Sequence, residues 1–222
     1  MLLERLGKEL LFLDGGMGTL LQAEGLAPGE LPETWNLKKR DKIIDIHRAY
    51  FEAGSDIVLA NTFGANALKF HDAYTLEDVI AAAIQNVREA ARSSVTDERT
   101  YYVALDVGPT GKLLKPSGEL SFEDAYEAFT KTMRIGAKEG ADLIHIETMS
   151  DTYEVKAAVL AAKEETNLPS GGASGGCPWN QLWNGTEADD SDSERDSKLY
   201  VPSDYCKAEC RTPKTDGGRD VL

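Results

Sequence analysis

Apolar positions along this chain follow two rhythms. Short unbroken runs, "LLFLD" (10–14), "DIVLANTF" (56–63), "YYVALDVG" (101–108) and "ADLIHIET" (141–148), alternate with longer stretches where apolar residues recur every three or four positions. The runs predict strands buried on both faces, as in a parallel sheet. The longer stretches predict amphipathic helices. "KIIDIHRAYFEAG" closes on Gly54, and "LEDVIAAAIQNVREAARSS" follows the same period. "SFEDAYEAFTKTMRIGAKEG" opens on a Ser121/Asp124 capping pair and stops at Gly140. "SDTYEVKAAVLAAKEET" opens on an Asp151/Glu154 pair and stops before Pro169. The pattern gives four βα units, with a fifth strand beginning near Leu168.

The rhythm ends at Pro169. Beyond it come "SGGASGGCPWNQLWNG", "TEADDSDSERDSK" and "CKAECRTPKTDGGRDVL", rich in Gly, Ser and Asp with isolated Trp. Such a segment buries too little apolar surface to offset its ordering entropy. The expected organisation is a βα region over 1–168 and a low-complexity, acidic, mostly disordered tail over 169–222.

Polar residues mark the ends of the runs. Asp14, Asn61, Asp106 and Glu147 each close an apolar run just before a loop, one per βα unit. Side chains alternate along a strand, so Glu147 shares a face with His145 and Leu143. A sheet curled into a barrel brings such residues together at its C-terminal mouth. An open doubly wound sheet also binds at the C-terminal strand ends. The regular units favour the barrel without deciding it.

Charge narrows the partners. The 222 residues carry a net charge of −14 and the sequence pI is about 4.7, which argues against nucleic acid or an anionic membrane as the main partner. No apolar run reaches the roughly 18 residues of a membrane span, and "MLLERLGKEL" lacks a signal-peptide layout. A cytoplasmic protein is expected. Three cysteines, Cys177, Cys206 and Cys210, fit a reducing compartment. Their loose spacing in a polar tail makes them weak metal candidates.

The motifs at the run ends carry the candidate chemistry. "DGGMGT" (14–19) lacks the spacing of a dinucleotide fingerprint. Gly15, Gly16 and Met17 offer backbone N–H groups to a small carboxylate, with Thr19 adding a hydroxyl; a tight turn requiring glycine explains the same letters. Asn61 in "LANTFGAN" can meet an ammonium or a carboxylate, or cap its own loop. Asp106 opens the rigid turn "DVGPTG". Glu147 in "HIETMSD" suits an ammonium partner, or a structural role on loop N–H groups. His47 fits helix packing, His71 a polar connection and His145 a core position, and none has an evident partner for general-base work. Trp35 walls a pocket or packs.

Taken together, "LDGGMGTLLQ", "ELPETWNL", "HRAYFEAGSDIVLANTFGAN", "DVGPTG" and "IETMSDTYEVKAAVLAA" resemble, in order, the homocysteine S-methyltransferase family. The resemblance is to the N-terminal homocysteine-binding domain of cobalamin-dependent methionine synthases, and it runs from about Leu10 to about Leu168. It implies a (β/α)8 TIM barrel that binds homocysteine at its C-terminal mouth. It also implies a zinc ion that takes the substrate sulfur as thiolate. Methylcobalamin and methyltetrahydrofolate would be supplied through other domains. Carried over by position, Asp14, the Gly15–Thr19 backbone and Glu147 hold the amino-acid end of homocysteine, and Asn61 and Asp106 line the pocket. The family's zinc cysteines lie in the second half of its barrel, and the run "GGC" ending at Cys177 is followed by Pro178. A whole barrel takes about 250 residues. The resemblance therefore implies a barrel truncated after about residue 168, its tail reading like the product of a frame change. It leaves two outcomes: a methyltransferase domain, or an inactive half-barrel that binds amino acids weakly or self-associates through its open edges.

Overall fold

Four parallel strands stand side by side in the order of the sequence, each joined to the next by a helix where one is expected. The structure is a computed structural model describing residues 2–6, 8–96, 99–174 and 181–183. The strands are β1 (Ile57–Leu59), β2 (Tyr102–Val107), β3 (Leu143–Met149) and β4 (Ser170–Ser174), and β5 (Gln181–Trp183) pairs antiparallel to β4. The sheet order β1-β2-β3-β4-β5 contains no crossover. A doubly wound sheet reverses its strand order at a switch point; this sheet does not, so the barrel alternative holds.

The helices are α1 (Leu2–Arg5), α2 (Met17–Ala23), α3 (Trp35–Lys38), α4 (Arg40–Ala53), α5 (Leu76–Ser94), α6 (Phe122–Lys138) and α7 (Thr152–Glu165). A 3-10 turn, Pro32–Thr34, leads into α3. The terminators match their chemistry. Gly54 ends α4 with a left-handed φ of 109°, which glycine adopts without steric cost. Thr75 and Asp78 form a reciprocal capping box on α5, and the Ser121 hydroxyl accepts from the Asp124 N–H on α6.

The two faces of the sheet build different layers. Val58, Val103, Leu105, Ile144 and Ile146 point outward and pack with α4 to α7 in the main core. Ile57, Tyr102, Ala104 and Leu143 point inward and pack with Leu11, Leu2 and Leu6. That inward layer is a barrel interior; α1 supplies Leu2 to it, and Leu6, the residue just after α1, joins it. None of the helices described here is long and apolar enough to cross a membrane.

Three expectations change. "LLFLD" is not a full strand: it runs parallel to β1 through a single bridge, Leu13 to Ile57. Only short hydrogen bonding ties it there, including Asp14 N–H to the Ile57 carbonyl at 3.0 Å. Leu10 and Phe12 are exposed. The fifth strand expected near Leu168 is present as β4, and it moves the end of the βα region past 168, because β4 pairs with β3 from Ser170 onward. Its sequence, SGGAS, carries almost no apolar signal, so backbone hydrogen bonding makes the strand. Residues 175–180 and 184–222, on which most of the expected disordered tail and all three cysteines fall, lie outside the described residues. The Asp151/Glu154 capping pair does not close either. Asp151 accepts from the Tyr153 N–H instead, and Glu154 turns inward.

Close packing at the mouth fixes one glycine. A Cβ on Gly108 would stand 2.5 Å from the Phe63 ring and 2.7 Å from the Phe63 carbonyl oxygen. Because backbone lies in the way, Gly108→Ala is expected to lower stability by about 1–3 kcal/mol, read as a lower urea midpoint. An unchanged midpoint would show that the loop relaxes freely.

Candidate functional site: carboxylates at the strand ends

Asp14, Asp106 and Glu147 meet at the C-terminal end of the sheet. Strand register brings them there: Asp106 sits opposite His145, two residues before Glu147. The Asp14 carboxylate accepts from the Leu59 N–H at 3.0 Å, which pins it to the end of β1. Glu147 lies where β3 breaks register, between Glu147 and Met149. Thr148 there has a φ of 58°, uncommon for a residue other than glycine. The resulting bulge ends the regular ladder at the residue that carries the charge.

Electrostatics sets this cluster apart. Asp106 is buried, and burial followed by the charges of Glu147, Asp14 and Glu33 pushes its pKa well above the usual carboxylate range. Asp14 is raised too, first by burial and then by Glu147. One oxygen of each, Oδ1, is sealed from solvent without a hydrogen-bond partner among the described residues. No Lys or Arg forms an ion pair with the three carboxylates among those residues. His145 Nε2 is 3.8 Å from Glu147 Oε2.

The glycine bend is built differently from a left-handed anion nest. Gly15, Gly16 and Gly18 are absent from the positive-φ positions; Gly16 has φ −63° and precedes the first turn of α2, which starts at Met17. Thr19 is exposed on that helix. Gly15 is needed for a close approach, since a Cβ there would stand 3.0 Å from the Tyr50 hydroxyl. That hydroxyl donates to the Gly16 carbonyl at 3.2 Å. Burial, then the charge of Asp14, raises the Tyr50 pKa.

Asn61 reaches the mouth, but the N–H donors of its amide are committed. Its Nδ2 donates to the Pro32 carbonyl at 2.9 Å and to Asn36 Oδ1 at 3.0 Å. Asn36 donates back to the Asn61 carbonyl at 2.9 Å. Donation to a ligand carboxylate would break this buried pair, so its N–H donors anchor the loop. Trp35 is fully buried, clustered with Leu21, Ile43 and Ile46, and its indole N–H donates to Glu30 at 2.8 Å; of the two expected roles the contacts support packing. His71 is exposed. His47 is fully buried, with both ring nitrogens unpartnered among the described residues.

Two buried carboxylates shape the mouth: Glu33, which the sequence reading passed over, and Glu154, which it took for a capping partner. Glu33 accepts from the Gly64 N–H at 2.6 Å, and burial raises its pKa against the opposing pull of that bond and of Lys69. Glu154 accepts from both the N–H and the hydroxyl of Thr110, at 2.7 and 2.5 Å. These residues hold the loops after β1 and β2. The available signal was the acid in "PETW", beside a tryptophan that has to be buried. A cavity of about 790 Å³ lies beside α6 and shares no residue with the cluster. Its rim mixes Lys112 and Lys131 with Glu119 and Glu127, so its charge selects no ligand.

The sheet order, the βα repeat and the mouth of carboxylates define a barrel-type α/β protein. The profile of the homocysteine S-methyltransferase family matches residues 11–197, and the chain belongs to that family. Among its relatives is the methionine synthase of Mycobacterium leprae, 34% identical over 172 residues, which cover 73% of this chain and 14% of that protein. The methionine synthase of Mycobacterium tuberculosis is 36% identical over 173 residues, with the same coverage of 73% and 14%. The chain therefore spans about one seventh of the length of these curated relatives. The homocysteine methyltransferase MmuM from Escherichia coli shares the fold. Its oxidized form aligns with a TM-score of 0.64 at 22% identity, covering 78% of this chain and 63% of that one. Its metallated form gives 0.65 at 21% identity, covering 76% and 63%.

Proposed function

We infer that this chain binds homocysteine by its amino-acid end, as the substrate-holding part of a homocysteine methyltransferase. One observation carries the reading: Asp14, Asp106 and Glu147 converge at the strand ends without a Lys or Arg partner among the described residues. An ammonium offers three N–H donors and one positive charge to such a cluster. Family membership supplies the identity of the ammonium's bearer.

The roles divide by position. Asp14 and Glu147 accept from the ammonium, and Asp106 completes the negative surround. The N–H groups at the start of α2, which follows the bend at Met17, are the candidate donors for the ligand carboxylate. Methyl transfer further requires the homocysteine sulfur as a thiolate, which a bound zinc ion supplies in this family. Among the described residues no group of three or more His, Cys, Asp or Glu is placed to hold a metal. They do not themselves make a zinc site, and Cys177, Cys206 and Cys210 remain the sequence candidates for one.

Calorimetric titration of the chain with L-homocysteine tests the reading. One saturable site is expected. Asp14→Asn and Glu147→Gln should each weaken it about tenfold or more, the loss of a charge-assisted hydrogen bond of about 1.5–3 kcal/mol. Equal binding of N-acetyl-homocysteine, which has no ammonium, would sink the assignment. Zinc content per chain, measured alongside, tells whether the three cysteines bind metal.

A further inference from the structure

Among the described residues, the mouth holds more negative charge than its surroundings neutralise. Asp106 is 7% exposed, and its Oδ1 has no donor among the described residues. It extends the inward-facing series Tyr102, Ala104 of β2, which turns it toward Glu147 and Asp14. The groups facing this pair come from every element around it. Glu147 and His145 lie on β3, and Asp14 precedes α2. Tyr50 approaches from α4, and Glu33 lies behind with Lys69 acting on it. Backbone donors reach only part of the set: Leu59 N–H meets Asp14 and Val107 N–H meets Asp106. Two ionised carboxylates held dry and close, without a cation, are strongly disfavoured.

We propose that this cluster exchanges a proton for a cation: in the empty site the Asp14–Asp106 pair holds one proton, and a primary ammonium entering beside Glu147 displaces it. The step balances simply. One carboxylic O–H bond breaks, its proton passes to water, and the carboxylate left behind accepts a hydrogen bond from the ammonium. No other bond changes. Binding of the cation and release of the proton are then one event. Apparent affinity falls tenfold for each pH unit below the pair's midpoint in the empty site. The homocysteine reading enters only as the identity of the molecule that brings the ammonium.

The test uses methylammonium, which carries neither thiol nor carboxylate, so any proton released comes from the protein. Carbon-13 NMR of the aspartate side-chain carboxyls follows the full chain through the acid and neutral range. The spectra are recorded in sodium, tetramethylammonium or methylammonium chloride at equal ionic strength. Asp106→Asn and Asp14→Asn assign the signals. In sodium chloride one aspartate should titrate well above the ordinary range. Methylammonium should lower that midpoint, while tetramethylammonium, which has no N–H, should leave it in place. The wild-type spectrum decides even if a variant does not fold: no aspartate above the ordinary range, or one midpoint in all three salts, overturns the proposal. L-homocysteine separates the two readings. A midpoint moved by methylammonium but not by homocysteine keeps the proton exchange and removes homocysteine as the ligand. Calorimetric binding of homocysteine with the midpoint unmoved by homocysteine and by methylammonium alike keeps the ligand and overturns the exchange.

Discussion

Replacing His47 with leucine is expected to raise stability and to extend the acid range over which the chain stays folded. His47 sits on α4 among Ile43, Ile44 and Phe51, fully buried. Both ring nitrogens lack a partner among the described residues, and burial pushes its pKa down to about 3. The sign follows from linkage. A base whose pKa is lower in the folded state than in the unfolded one binds its proton mainly after unfolding. Its contribution to stability is complete above about pH 6.5 and is lost as pH falls toward 3, a span worth roughly 5 kcal/mol. Leucine has a similar volume and nothing to protonate. It also removes two unpaired polar atoms at neutral pH, where the gain should be about 1–3 kcal/mol. Asp14 and Asp106 act in the opposite direction, because a carboxyl with a raised folded pKa loses its contribution as pH rises. Only the difference between wild type and variant isolates His47. That difference, from urea unfolding, should grow by roughly 3 kcal/mol between pH 7 and pH 4.5. Parallel curves would mean that the imidazole has a partner in solution, such as a buried water.

The same helix shows what the sequence carries and what it leaves out. Its length, its apolar face and its stop at Gly54 were all in the letters, because periodicity and a left-handed cap are local. The strand positions of β2 and β3 were legible for the same reason, and so were the carboxylates that end them. β4 was legible only in its start, near Leu168: SGGAS carries no hydrophobic period, so its length was not readable. The roles of Asn61, Glu33 and Glu154 were hidden for another reason. Asn61 bonds to residues 25 and 29 positions away, Glu33 to one 31 away and Glu154 to one 44 away. Glu154 illustrates the competition directly. Three residues after Asp151 it has the spacing of a capping partner. The buried Thr110 N–H and hydroxyl offer it a better pair of donors, and the tertiary contact wins. Position at a strand end was readable; which partner each amide or carboxylate takes was not.

Trp35→Ala should be the most destabilising single change near the mouth, costing about 3–5 kcal/mol. Trp35 is the largest side chain in the α2–α3–α4 cluster and is fully buried with Leu21 and Ile43. Its removal leaves a cavity that Leu21 and Ile43, both already buried, cannot refill without moving. The consequence reaches the site because of what flanks it. Glu33 lies two residues before it and holds the Gly64 N–H; Asn36 lies directly after it and pairs with Asn61. A Cβ at Gly64 would stand 2.7 Å from Glu33 Oε1, so loop and acid fit only in this one arrangement. Loosening the tryptophan therefore loosens both ties between the Pro32–Thr34 turn and the end of β1. The check is a pair of measurements on the variant: the urea midpoint, and hydrogen exchange at the Gly64 amide. Exchange there should speed up by more than at the Gly140 turn, which lies outside the cluster. Trp35→Phe, which keeps most of the volume and loses only the hydrogen bond to Glu30, should retain slow exchange at Gly64. If the alanine variant unfolds earlier while Gly64 stays as protected as in wild type, the two ties hold the mouth without the tryptophan behind them. The anchor would then be Glu33 itself.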